Sequence, residues 1–253
     1  MTRTVLVRPP GPRLAEGLVS HLDPSPVDIS LAQSQWERYV VALREAGWSP
    51  VQVPTADDCP DAVFVEDMMV VHGDLAIIGR SGAEVRRPEA ADVAGTVGAE
   101  GYRTAWITEP GTMDGGDVLR VGDTVYVGRS ARTNDAGIDQ IRDLLEPLGA
   151  KVVPVPVTKV LHLKSAVAAL PDGTVIGYEP LLDHPDLFDN FVSAEEESGA
   201  HVVPLGDRRL LIAASAPRTA DTLRELGWEP VLVDITEFEK LEGTVNCMSV
   251  RLE

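Results

Sequence analysis

The chain has 253 residues, 44% of them hydrophobic, and carries 40 acidic against 22 basic side chains, for a formal charge of −18. That field repels nucleic acid and anionic membrane surfaces and draws in cations, and the length builds a sizeable core in one or two domains. Two cysteines, Cys59 and Cys247, give no disulfide framework, no apolar run approaches the roughly 18 residues of a membrane helix, and the polar start "MTRTVLVRPP" is unlike a secretion signal. A soluble protein of a reducing compartment, expected in the cytoplasm, follows.

Along the chain, "TVLVRP" reads as a first strand. One phrase then recurs: a helical stretch, a glycine, and an apolar strand ending near a proline or an acidic residue. Its copies are "REAGWSPVQVP", "GAEGYRTAWITEP", "EPLGAKVVPVP", "EESGAHVVPLG" and "RELGWEPVLVD", with glycines at Gly47, Gly101, Gly149, Gly199 and Gly227. A glycine just past a helix takes the left-handed conformation that ends it. Further strands pair across short turns at Gly73-Asp74, Gly122-Asp123 and Asp172-Gly173. Repetition of helix, strand and hairpin predicts an α/β propeller of about five blades, in which equivalent positions converge on the axis. The last unit is expected to close against "TVLVRP". A plain open α/β sheet is the alternative.

Counting forward from the glycines, Asp61 follows Gly47 by 14 residues, Asp114 follows Gly101 by 13, His162 follows Gly149 by 13, and Cys247 follows Gly227 by 20. Equivalent units would bring two carboxylates, an imidazole and a thiol to one end of the axis, with Cys247 the candidate nucleophile. Glu66 and Asp67 stand between "VFV" and "MMVV", where carboxylates need a cationic partner. Asp114 precedes Gly115-Gly116, which allows close backbone approach. Of the other histidines, His72, His184 and His201 read as turn or loop residues. Carboxylates hold a guanidinium through paired hydrogen bonds, and a thiolate can attack its planar carbon if an acid protonates the leaving amine. A tetrahedral oxyanion among so many carboxylates would be repelled, which argues against a peptide hydrolase.

The stretches "DAVFVEDMMVV", "GTMDGGDVL", "VGRSARTNDAG", "LHLKSAV" and "EGTVNCMSV" resemble, in order and over nearly the whole chain, the dimethylarginine dimethylaminohydrolase family of the guanidine-modifying pentein superfamily. The resemblance implies one five-bladed pentein propeller over 1–253 with an N-terminal lid loop near 10–20. It implies hydrolysis of N-methylated arginines to citrulline and methylamines, with no cofactor and no metal. By the same resemblance Cys247 is the nucleophile, His162 the acid and base, and Asp114 the group that orients the histidine. Asp67 binds the guanidinium, with Glu66 and Asp61 beside it, and Arg86 and Arg132 bind the substrate carboxylate. Leu14 matches the mobile lid, Leu241 a main-chain contact to the substrate amine, and Glu242 stands where some relatives have aspartate.

The expected partner is a small cationic guanidino amino acid, with no nucleic acid and no membrane, in a monomer or homodimer. An arginine deiminase shares the fold and the cysteine chemistry but is typically longer, with a helical insertion not seen here. A non-catalytic propeller that binds a macromolecule is a reading of a different class. A zinc site from Cys247, His162 and carboxylates lacks the short ligand spacing of common sites. Cys59 has no assigned role.

Overall fold

Four of the five predicted glycines end helical segments in the left-handed region, with φ of 89° at Gly47, 91° at Gly101, 90° at Gly149 and 81° at Gly227. In the computed structural model, which describes residues 3–252, the helical segments before them include α1 (Ile29–Glu45), α2 (Ala90–Ala99), α3 (Asp135–Leu145) and α4 (Pro217–Glu225). Side-chain caps start two of these helices: Asp28 accepts from the Leu31 N–H, and Asn134 from the Gly137 N–H. Met1, Thr2 and Glu253, the ends of the expected 1–253 domain, lie outside the described residues.

Fifteen strands form five three-stranded sheets among the described residues. Each sheet pairs two strands antiparallel and adds a third in parallel, reached through a connection that is helical in four cases. The second blade has β3 (Met69–His72), β4 (Leu75–Ile78) and β5 (Arg103–Trp106); the third has β6 (Val118–Val121), β7 (Thr124–Arg129) and β8 (Lys151–Pro156). The fourth has β9 (Val167–Ala169), β10 (Val175–Gly177) and β11 (Phe191–Ser193), and the fifth β12 (Val202–Gly206), β13 (Arg209–Ala213) and β14 (Glu229–Val233). The first joins both ends of the chain. There β1 (Arg3–Val7) lies between β2 (Trp48–Gln52) and β15 (Ser249–Leu252), antiparallel to the latter. This is a five-bladed α/β propeller of the pentein kind, closed as the sequence predicts.

Two details differ from the sequence reading. Gly199 follows no α-helix. It lies in a 3-10 turn, Glu197–Ala200, and the strand after it opens a blade instead of completing one. The β12–β13 hairpin turns at Asp207 and Arg208, with φ of 52° and 63°. Two positive φ values match the right-handed strand twist, but no Asn-Gly or Asp-Gly pair announces them.

The first strands of neighbouring blades pack around the axis, β15 against β3 and β6 against β9. Just before several of them the chain makes a short turn instead of extending: Val65–Met68, Gly115–Asp117, Leu163–Ser165 and residues 244–248. Tyr39, fully buried on α1, donates to the Val245 carbonyl at 2.7 Å and lies 2.7 Å from the Ser249 hydroxyl. Burying a side chain of that size stabilises by about 1.5–3 kcal/mol, and here it also anchors the segment that carries Cys247.

Candidate active site

The turns before the first strands bring Asp67, Asp114, His162 and Cys247 together, because each sits at the same end of its blade. The approach is backbone to backbone. A Cβ on Gly115 would lie 2.0 Å from the Glu66 carbonyl oxygen, and one on Gly116 would lie 2.7 Å from both Asp67 Oδ1 and His162 Nδ1. Only glycine permits this packing, which is the reason for the Asp114-Gly115-Gly116 run. The Glu66 N–H donates to the Cys247 carbonyl at 3.1 Å, joining the last turn to the second blade.

His162 is 3% exposed. Its Nε2 lies 3.1 Å from Asp114 Oδ2 and its Nδ1 3.7 Å from Asp67 Oδ1. Burial by itself would depress this imidazole, but the Asp67 charge and the Asp114 hydrogen bond outweigh it and raise the pKa to about 9. Burial would likewise lift Asp114; the His162 hydrogen bond and charge, with Arg86 and Arg132, hold it at about 2. Burial, then the Asp67 and Glu66 charges, push the Cys247 thiol up to about 12, against a hydrogen bond from Thr244, whose Oγ1 lies 3.1 Å from Sγ. The resting site therefore pairs a neutral thiol with an imidazolium.

Around these groups a cavity of about 20 Å³ is lined by Leu18, Asp61, Phe64, Asp67, Arg86, Arg132, Leu161, His162, Leu241, Glu242, Gly243 and Cys247. That volume holds about one water. Two larger cavities lie beside it. One of about 260 Å³ follows the axis, and one of about 330 Å³ lies under His21 and Leu22 and shares Leu161, Glu242 and Gly243 with the site. The small cavity is the one that touches the thiol and the imidazole, and it is the chemical centre despite its size.

Asp61 and Asp67 both line this cavity, and Asp67, not Asp61, occupies the turn before its strand. Asp61 accepts from the Leu18 N–H at 3.1 Å. Arg132 donates to Asp114 at 3.2 Å. Arg86 is more engaged than a surface arginine: it donates to Asp67 at 2.6 Å, to Glu89 at 2.9 and 3.1 Å, and to the carbonyls of Asp61 and Phe64. Leu241 is buried at the cavity wall.

Three placements correct the sequence reading. Leu14 is fully buried in the core; the leucine of this segment at the cavity is Leu18, 38% exposed. Glu66 turns away from the thiol side, pairs with Lys164 at 2.6 Å and lines the axial cavity. Glu242 does not offer a free carboxylate to a ligand. It accepts from the N–H groups of Ser20 at 2.6 Å, His21, and Leu22 at 3.1 Å, and from the Ser20 hydroxyl. His201 lies in the short loop before β12, as read from the sequence, but is buried there at 3% exposed, with Nε2 2.8 Å from the Ser165 carbonyl. Sequence reasoning missed Leu18, Phe64, Leu161 and Gly243, whose types carry no chemical signal. It also missed Lys164, a charge two residues past His162 whose purpose shows only once Glu66 is seen beside it.

Asp67, Asp114 and His162 offer ligand atoms within 4.8 Å of one another. Each carboxylate already faces a guanidinium, from Arg86 or Arg132, and a further cation there meets those charges and the imidazolium. Among the described residues no helix is long and apolar enough to cross a membrane.

Comparison with known proteins agrees with this geometry. Residues 25–173 match the family model of N,N dimethylarginine dimethylhydrolase, eukaryotic. The N(G),N(G)-dimethylarginine dimethylaminohydrolase of Streptomyces coelicolor is 62% identical over 99% of this chain and 97% of its own, and that of Pseudomonas aeruginosa 35% identical over 99% and 100%. A cysteine-to-serine variant of the Pseudomonas aeruginosa enzyme, solved with citrulline, superposes at a TM-score of 0.93 with 33% identity over the full length of both chains. The N-terminal domain of the arginine dihydrolase ArgZ shares the fold at a TM-score of 0.89 with 19% identity. Sequence, propeller and the meeting of thiol, imidazole and carboxylates thus converge, and the chain belongs to the dimethylarginine dimethylaminohydrolase family of hydrolases acting on guanidino groups.

Proposed function

We propose that the protein hydrolyses N-methylated arginines to citrulline and a methylamine through a covalent thiouronium on Cys247. The observation that carries this reading is the Cys247 thiol in one small cavity with His162 and the carboxylates of Asp67 and Asp61. A neutral thiol near pKa 12 is a poor nucleophile. A guanidinium entering beside it adds a positive charge that favours the thiolate, the thiol proton passing to solvent, so the substrate itself prepares the attack. Sγ then bonds to the guanidinium carbon. The His162 imidazolium gives its proton to the departing amine nitrogen as the carbon–nitrogen bond breaks. Neutral His162 next takes a proton from water, the water oxygen adds to the thiouronium carbon, and the carbon–sulfur bond breaks to release citrulline.

In this reading Asp114 holds the imidazole in place and Asp67 holds the substrate guanidinium. Arg86 must then leave Asp67, either toward the substrate carboxylate or with Glu89 alone, and Arg132 offers a second cation to that carboxylate. The loop near residues 10–20 acts as a lid, with Leu18 over the cavity, and opens it to admit a ligand larger than one water. One domain over 1–253 serves a small guanidino amino acid as its partner, as a monomer or homodimer, in the cytoplasm.

The test is citrulline release from asymmetric dimethylarginine, monomethylarginine and arginine, by wild type and Cys247→Ser in parallel. Preference for the methylated substrates, lost in the variant, is expected. Turnover of arginine alone assigns the chain to a deiminase activity instead, and equal turnover by Cys247→Ser removes the nucleophile from the reading.

A further inference from the structure

Asp117 is fully buried, three residues past Asp114, and the chemistry above does not use it. Its two oxygens reach in different directions. Oδ1 accepts the Leu163 N–H at 2.9 Å, the residue directly after His162. Oδ2 accepts the Ser130 hydroxyl at 2.6 Å. Ser130 Oγ in turn accepts the N–H groups of Arg132 at 2.9 Å and Thr133 at 3.2 Å. The Thr133 hydroxyl favours the charged form of Asp117 and accepts the Asp114 N–H at 3.2 Å. One carboxylate therefore fixes the backbone beside the imidazole, the turn that carries Arg132, and, through Thr133, the backbone of Asp114.

The fold makes room for it. A Cβ on Gly128 would lie 2.5 Å from Asp117 Oδ1, so a side chain there would displace the carboxylate. A buried carboxylate with only neutral hydrogen-bond donors costs free energy unless a charge offsets it. Burial lifts the Asp117 carboxyl to about 6, so it is ionised at neutral pH; the His162 charge is the strongest influence opposing that rise, and each favours the charged form of the other.

We infer that Asp117 is a positioning residue with two functions: it ties the His162 turn to the Arg132 turn, and it is a fixed counter-charge for the His162 imidazolium. The catalytic part of this inference rests on the proposed role of His162 as acid. The charged groups around that imidazole are Asp67, Asp114 and Asp117 from the two preceding turns, Glu66 behind them, Lys164 on its own turn, the guanidinium groups of Arg86 and Arg132, and Cys247. Only Asp117 combines full burial with no cationic side chain bonded to it.

The experiment compares Asp117→Asn and Ser130→Ala with wild type in two readouts, the pH titration of the His162 ring by NMR and steady-state kinetics. Asp117→Asn keeps an acceptor for Leu163 and removes the charge. Its His162 midpoint is expected to fall by about one unit, the size of common charge-partner shifts, and the alkaline limb of its kcat profile to fall with it. Ser130→Ala keeps the charge and loosens the Arg132 turn, so KM should rise severalfold while the His162 midpoint holds. An unchanged His162 midpoint in folded Asp117→Asn overturns the counter-charge role. Ser130→Ala with wild-type KM overturns the tie to Arg132, and it decides that point even if Asp117→Asn fails to fold. The NMR midpoint does not require turnover, so a wild type with no activity on methylarginines would sink the catalytic reading and leave the electrostatic one tested.

Discussion

Arg86 Nη1 donates to Asp67 Oδ2 at 2.6 Å, with both side chains 4% exposed. The chain's own guanidinium thus rests on the carboxylate that the proposed reaction assigns to the substrate's guanidinium. The resting site is self-occupied, in keeping with its 20 Å³ cavity. Glu89 is the second anchor of Arg86, at 2.9 Å, so two buried carboxylates depend on one cation. Removing one partner of a buried pair costs about 3–5 kcal/mol. Arg86→Ala is expected to lose stability of that order by urea denaturation as well as activity. A midpoint equal to wild type would show that the network does not bear on the fold.

Alkylation of Cys247 by iodoacetamide should keep accelerating from pH 7 to 9.5 with no plateau, because only the thiolate reacts and burial beside Asp67 and Glu66 puts the pKa at about 12. A plateau with a midpoint below pH 8 would mean that the thiolate is prepared before any cation arrives.

His162 is raised to about 9 from its ordinary 6.5. A folded-state pKa above the unfolded one stabilises fully below the unfolded value and loses that contribution as pH rises through the folded value. The stability of wild type to thermal unfolding should therefore fall between about pH 6.5 and 9, and His162→Ala should flatten that slope. The same variant should lose ~10²–10⁴ in kcat, the usual cost of a missing general acid.

The carboxylate of Glu242 gathers three consecutive N–H groups, from Ser20, His21 and Leu22. Burial would raise this acid, but the backbone donors outweigh it and hold its pKa below the ordinary range. Glu242→Ala should speed amide exchange over residues 18–22 and raise KM, with secondary structure intact by circular dichroism. Unchanged exchange would show that the segment is held by its other contacts, such as Asp61 to Leu18.

The propeller was legible because its punctuation is local. Left-handed glycines and Gly-Asp turns mark helix ends and hairpins whatever surrounds them. Cys247, His162 and Asp114 stood out by their repeat-related spacing, whereas the same count picked Asp61, and it is Asp67 that the structure puts in the turn of that blade. Direction was not legible. Glu66 and Asp67 are neighbours in sequence, yet one faces Lys164 on the axis and the other Arg86 in the site, a division set by backbone turns and not by residue type. Leu14 and Leu18 are a similar case: four residues apart, both leucines, one in the core and one over the cavity. Asp117 lies in "GTMDGGDVL" with nothing in that stretch to mark it; its place shows only from Leu163 and Ser130 on its two oxygens.

The antiparallel pairing of β15 with β1 puts Cys247, the proposed nucleophile, directly before the strand that closes the ring. A protein growing from its N-terminus has four blades' worth of sequence, with His162 and the carboxylates in hand, while β1 still waits for its inner neighbour. The residues that seal the ring, Ser249–Leu252, follow Cys247 directly. Closure of the ring and placement of the thiol therefore depend on the same short segment, so a chain cut before β15 loses the closed propeller and the seat of the thiol together.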